Sequence, residues 1–153
     1  MSYSVRPAAV SDLEKLVQFT IAEAVDAEGS EIGSSVREGV LTALKDNSYA
    51  TYWVLESDGE VIGNVSIVKE WSDWNAGFYW WIQSMFIQPA YRGKGLIKLL
   101  LETVQREAMR ANALELRLYV HKGNSAAISA YLKNGFDPSD YQIMTMAVAR
   151  QDG

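Results

Sequence analysis

Cysteine is missing from all 153 residues. Its absence excludes disulfides, thiolate metal sites, iron–sulfur ligation and a cysteine nucleophile. Histidine occurs once, as His121, which excludes a multi-histidine metal site, and no metal is expected. Proline occurs three times, and apolar residues (48%) outweigh charged ones (22%), the balance of a folded globular chain. No apolar run nears the ~20 residues that cross a bilayer, and residues 1–7 lack a charged-then-apolar leader. A cytoplasmic chain with no membrane partner is expected. Basic residues are scarce, and a net charge of −5 argues against nucleic acid as a partner. The length suits one domain, 1–153, with enough interior to fold without staples.

The charge that is present falls unevenly. Residues 1–75 hold 13 acids against 5 Lys/Arg, and residues 76–153 hold 6 against 9. Such a split arises by chance, or it serves a ligand with one cationic and one anionic end.

Local patterns set the order of elements. Residues 3–6 read as a short strand closed by Pro7. Ser11 and Glu14 make a capping-box signature, followed by Leu13, Leu16, Val17, Ile21 and Ala24 at helical spacing. Ser35 and Glu38 make a second box before Val40, Leu41 and Leu44. Strands over 51–56 and 61–68 flank the hairpin signal Asp58-Gly59. Another strand covers 78–87 and stops at Pro89. Leu96, Leu100, Val104, Ala108 and Ala111 trace one face of a long helix. Residues 114–120 alternate, with Leu114, Leu116, Leu118 and Val120 on one face and Glu115, Arg117 and Tyr119 on the other. A short helix capped by Asn124 or Ser125 stops at Gly135, and 141–148 read as a last strand. The order βααβββαβαβ predicts an α/β (α+β) domain: one mixed, mainly antiparallel sheet flanked by helices.

One turn carries chemistry. Arg92-Gly93-Lys94-Gly95 stands between a strand and a helix. A glycine turn there aims several backbone N–H groups at one spot, at the positive end of the helix dipole, which suits phosphate or pyrophosphate. The spacing fits neither a Walker loop nor a dinucleotide fingerprint, since Lys98 stands where the latter's third glycine would be. Downstream come Asn124-x-x-Ala127-x-x-x-Tyr131 and Gly135-Phe136. Together these motifs resemble the GCN5-related N-acetyltransferase family, whose turn reads Q/R-x-x-G-x-G/A. The match departs at Ile97, where glycine or alanine is usual.

The resemblance implies the acyl-CoA N-acyltransferase fold and direct transfer of acetyl from acetyl-CoA to a primary amine. It implies that the Met85 and Ile87 backbones pair with the pantetheine arm as with an added strand. Arg92, Gly93, Lys94, Gly95, Leu96, Ile97 and Lys98 would hold the pyrophosphate, and Asn124 would meet the cofactor arm. Tyr131 would protonate the leaving thiolate as general acid. Positions where relatives carry a glutamate base are Gln83 and Tyr119 here, so Gln83 would orient a water, and the proton would pass to a water chain, be absent from an amine that arrives neutral, or go to another side chain. Glu28, Glu70, Asp73 and His121 are the candidates.

Tryptophan is concentrated in residues 70–81, as Trp71, Trp74, Trp80 and Trp81. With Glu28, Glu70 and Asp73, Trp71 and Trp81 would form an acidic, aromatic pocket for a cationic amine. Aromatics in a hairpin also fill a core or a dimer interface, and alternation puts Trp80 and Trp81 on opposite faces. A small-molecule amine is the expected acceptor, with a homodimer as a further expectation. Alternative readings are a non-catalytic acyl-CoA-binding module and a protein or peptide N-acetyltransferase.

Overall fold

A computed structural model of the chain describes residues 2–28 and 35–149; of Ala27 and Glu28 it describes the backbone alone. Its strands are β1 (Tyr3–Pro7), β2 (Thr51–Ser57), β3 (Glu60–Ser72), β4 (Gly77–Ile87) and β5 (Glu115–Leu118). Its helices are α1 (Leu13–Glu28), α2 (Ser35–Lys45), α3 (Leu96–Arg110) and α4 (Ser125–Lys133). The sheet follows chain order, β1-β2-β3-β4-β5, antiparallel except for the parallel pair β4-β5. The mixed, mainly antiparallel sheet read from the sequence is therefore present.

Each face of the sheet has its own core. Leu100, Leu101, Val104 and Ala108 of α3 pack on Leu55, Ile62, Val65, Ile67, Trp80 and Ile82. On the other face, Leu13 and Leu16 of α1 and Val40 of α2 cover Val54, and Phe19 stacks on Phe86 at 5.3 Å. Trp80 is core, so the opposite-face reading of the Trp80-Trp81 pair holds.

The cap of α1 differs from the Ser11–Glu14 box. A short 3-10 turn (Val10–Asp12) leads into the helix, and the Asp12 carboxylate accepts the Ala9 N–H at 2.8 Å. Asp12 wins because it also takes two hydrogen bonds from Arg6, at 2.8 and 2.9 Å. The Arg6 guanidinium and that N–H hold its carboxyl below the usual carboxylate value, against a burial that raises it. A depressed folded pKa stabilises the fold above the unfolded value and is lost as pH falls through the lower folded one. Asp12→Asn is expected to cost about 1–2 kcal/mol at pH 7, discounted for the half-exposed Arg6. In thermal melts the cost should shrink as pH falls below the ordinary aspartate value and through the lower folded one.

The last strand expected over 141–148 does not form. Those residues join no ladder, and Tyr141, Ile143, Met144, Met146 and Val148 are exposed. Strand-like composition needs a partner's N–H and C=O groups to become a strand. Here a turn holding the Tyr141 N–H on Ser139 Oγ, at 2.9 Å, precedes a segment that stays unpaired. The strand expected over 114–120 is trimmed to Glu115–Leu118, with Leu116 and Leu118 facing the α3 core as the alternation requires.

Candidate active site

The site begins at an irregularity in β4. Ser84 pairs with Ser66 and Ile82 with Ile67, so Gln83 is an extra residue, a β-bulge. The bulge resets alternation: Trp80 and Ile82 face α3 before it, and Met85 and Ile87 do so after it. It also marks where the sheet parts. Pairing of β4 with β5 ends at Ile82 and Leu118, so residues 83–87 keep only β3 as a strand neighbour. Behind the bulge, buried Asn64, Ser66 and Ser84 are joined by hydrogen bonds, Asn64 Nδ2 to Ser84 Oγ at 3.2 Å and Ser66 Oγ to Ser84 Oγ at 2.6 Å.

Two side chains reach the parted edge. The Met85 N–H donates to Glu23 Oε2 at 2.7 Å, and Arg92 Nε donates to the Ile87 carbonyl at 2.8 Å. Arg92 also donates to Asp26 at 3.0 Å and lies over the Phe86 ring. Its guanidinium thus braces α1 against β4, a different posture from the phosphate contact expected of it.

Beyond Arg92, Gly93 and Gly95 take φ of 78° and 74°. That left-handed conformation costs a residue with a Cβ ~1–2 kcal/mol, which accounts for both glycines. Gly95 stands directly before α3 and no side chain caps that helix, so the first-turn N–H groups have no side-chain acceptor. Lys94 and Lys98 are exposed beside it. A strand edge whose N–H and C=O are met by exchangeable side chains instead of a neighbouring strand, leading into an uncapped helix start, fits an extended amide arm ending in a pyrophosphate.

Asn124 caps α4, accepting the Ala127 N–H at 3.2 Å. Tyr131, one helix length on, is half-buried with its ring edge-on to Phe136 at 5.7 Å. Burial first, and the Glu23 charge second, push its phenol up to about 12. Burial pushes Glu23 up to about 7 against the lowering Met85 N–H. Tyr52 is also raised, by burial and to a lesser degree by Glu23, with Ser66 opposing. Glu23 therefore sits within electrostatic reach of both tyrosines.

Glu23 and Tyr52 border a cavity of about 320 Å³ between α1, α2 and the sheet, lined also by Thr20, Tyr49, Gln83 and Ser84. Gln83 is the residue of the sequence reading that lines it. Glu70, Trp71 and Asp73 lie toward the far end of the β3-β4 hairpin. Its turn stands about six residues from Gln83, roughly 20 Å at strand rise. Glu70 accepts Trp81 Nε1 at 3.1 Å and lies 3.7 Å from Arg117, whose guanidinium stacks on Tyr79. Trp81 is half-buried, beside Tyr119. His121 accepts the Gly123 N–H at 3.1 Å in an exposed loop. The Glu28 side chain lies outside the described residues. Among the described residues no cluster of His, Asp and Glu could hold a metal, and no helix is long and apolar enough to cross a membrane.

Glu23 is the group the sequence reading missed. It stands in the acidic run with Asp26, Glu28 and Glu31. The usable signal was helical phase: Glu23 falls four residues after Phe19 and seven after Leu16, both fully packed, so it shares their inward face.

A three-layer domain whose sheet parts at a bulge, beside a glycine turn and a buried tyrosine, has the architecture of an acyl-CoA-dependent transferase. The chain belongs to the acetyltransferase (GNAT) family, whose model matches residues 17–136. Members of this family draw acetyl from acetyl-CoA. A structure described as that of a possible acetyltransferase from Clostridium difficile 630 superposes with a TM-score of 0.90 at 28% identity, covering 98% of this chain and 100% of that one. A predicted acetyltransferase from Clostridium acetobutylicum, solved with acetyl-CoA, shares the fold with a TM-score of 0.79 at 22% identity, over 95% and 96% of the two chains. Spermidine N(1)-acetyltransferase of Thermoplasma acidophilum is 39% identical over 56 residues, which are 37% of this chain and 35% of that enzyme. The chain thus spans about a third of that relative's length.

Proposed function

We propose that the chain is an N-acetyltransferase acting on a primary amine of a small molecule by direct transfer. The observation that carries this reading is the cavity beside Gln83, bordered by the parted β4 edge and by a carboxylate. At about 320 Å³ it falls at the small end of ligand sites. Its ionisable lining, Glu23 with Tyr49 and Tyr52, suits a cation. The similarity to a spermidine acetyltransferase is in keeping with such an acceptor.

Acetyl-CoA would supply the acetyl thioester. Met85 and Ile87 would pair with its arm, the 92–98 turn and the start of α3 would take its pyrophosphate, and Asn124 would steady the arm from the α4 cap. Tyr131, protonated throughout the neutral range, would donate to the departing sulfur. A homodimer belongs to the same proposal. Trp71, Trp74 and Phe78, exposed at the hairpin tip, support it, and sedimentation checks it. Cytoplasmic location is likewise proposed.

Acetyl-CoA is expected to raise the melting temperature, with about 2.7 kcal/mol of stabilisation at a hundred times Kd, whereas NAD and ATP leave it unchanged. Thiol release from acetyl-CoA should then be screened over polyamines, aminoglycosides, amino acids and peptides. Turnover of small amines is the expected result. Turnover of peptides alone would transfer the reading to protein acetylation, and binding without any turnover would overturn catalysis.

A further inference from the structure

The geometry points to Glu23 as the general base of the transfer, held on the Met85 N–H until the pantetheine arm takes over that hydrogen bond. This inference rests on the reading above. An ammonium must lose a proton before its nitrogen can attack, and the bulge of β4 offers the amide Gln83, which cannot accept one. Among the carboxylates with described side chains, Glu23 lines the cavity, whereas Glu70 and Asp73 stand toward the far end of the hairpin.

Its surroundings suit the task. From β4 it receives the Met85 N–H. Its charge reaches the Tyr52 phenol of β2 and the Tyr131 phenol of α4 and raises both. Tyr49, after α2, shares the cavity. One helical turn on, Asp26 is neutralised by Arg92. Among the described residues no lysine or arginine forms an ion pair with Glu23, so no cation holds it as a spent carboxylate. Burial accordingly sets its proton affinity near neutrality, where a general base is most effective.

The Met85 hydrogen bond makes the base conditional. That N–H belongs to the edge where the arm would add as a strand, so an arm paired with Met85 displaces the carboxylate. Losing an N–H donor that favours the charged form makes Glu23 a stronger base. Glu23 then takes one proton from the ammonium. The N–C bond forms and the C–S bond breaks. Tyr131 gives its proton to sulfur, and the nitrogen's second proton replaces it on Tyr131. The proton on Glu23 leaves to solvent, which balances the reaction. Neutralising Glu23 also removes a charge that raised Tyr131, so the acid strengthens as the thiolate departs.

Two measurements test this on the full chain. First, acetyl-CoA binding is followed by calorimetry at pH 7 in two buffers of unlike ionisation enthalpy. Wild type should take up a fraction of a proton more than Glu23→Gln, with acetyl-CoA affinity within about threefold. Second, kcat/KM is profiled against pH with the fastest amine of the screen. Glu23→Gln should lose about 10²–10⁴-fold and the acidic limb, which lies above the free-enzyme value of about 7 once acetyl-CoA is bound, and Glu23→Asp should recover part of both. A variant that binds acetyl-CoA but keeps the limb and the rate overturns Glu23 alone. Equal proton uptake by wild type and Glu23→Gln overturns the Met85 coupling. Failure of wild type to bind acetyl-CoA overturns the proposed function itself. Folding is checked by melting: a carboxyl with a raised folded pKa weakens the fold above it, so Glu23→Gln should melt no lower than wild type at pH 8. If Glu23→Gln does not fold, Glu23→Asp carries the test, and an unchanged rate and limb there overturns the assignment.

Discussion

Replacing Tyr131 by phenylalanine is expected to lower kcat about 10²–10⁴-fold while KM for acetyl-CoA stays within about threefold. The substitution removes one oxygen and leaves the ring edge-on to Phe136. Uniform binding of the donor is therefore kept, and only a contact that matters as sulfur acquires charge is lost. The wild-type phenol is raised to about 12 by burial and by Glu23, so it is fully protonated at assay pH and no loss of the acid form limits the rate there. The same shift has a sign that can be read without substrate. A folded pKa above the unfolded ~10 adds stability that is present below pH 10 and is lost as pH rises toward the folded value. Wild type should thus lose stability between about pH 10 and 12 more steeply than Tyr131→Phe. Steady-state kinetics across neutral pH and melts in alkaline buffer check the two halves. An unchanged kcat would remove Tyr131 from the acid role.

How far the sequence reveals this site depends on the range of the interactions involved. The glycine turn was legible because positive φ is a local demand: Gly93 and Gly95 announce it whatever packs nearby. Asn124 was legible for the same reason, since a cap is satisfied three residues away. Alternation assigned Leu116 and Leu118 to the core side and separated Trp80 from Trp81. What failed depended on distant partners. Residues 141–148 have strand composition but no ladder, and no local rule states which edge lies within reach. Asp12 displaced Ser11 at the α1 cap because Arg6 comes from another element. The bulge at Gln83 was invisible, because an extra residue exists only relative to its partner strand. Glu23 was missed because its character comes from Met85, 62 positions along the chain, and from tyrosines on β2 and α4. The aromatic run drew attention to residues 70–74 as a pocket wall, while hairpin geometry carries them away from the bulge.

Gly63→Ala is expected to be among the most damaging single-methyl changes in the fold. Gly63 lies in the buried interior of β3, opposite Ile87. A Cβ there would meet the Phe86 carbonyl oxygen at 2.5 Å and Ile87 Cα and Cγ1 at 3.4 Å. The first of these atoms is backbone, so no rotamer change relieves the overlap and β4 must shift bodily. Overpacking of this kind costs about 1–3 kcal/mol or more, which for a domain of this size lowers Tm by roughly 2–12 °C. The shift would fall on residues 83–87, the edge proposed to receive the pantetheine arm, so KM for acetyl-CoA should rise together with the loss of stability. The matched control is Gly39→Ala. Gly39 lies within α2, has no atom within 4 Å of an added Cβ and does not sit at positive φ. Alanine there restricts the unfolded chain and favours the helix by about 0.5–1 kcal/mol, so Tm should rise by a few degrees with KM for acetyl-CoA unchanged. The same methyl thus acts with opposite sign at two glycines. At Gly39, which lines the cavity away from the β4 edge, an added methyl meets no atom. At Gly63 the missing side chain sets how closely β3 and β4 approach, and hence where the cofactor edge lies. A Gly63→Ala variant that melts like wild type would show that the Phe86 carbonyl can yield, and the placement of that edge would then have to rest on the bulge at Gln83 alone.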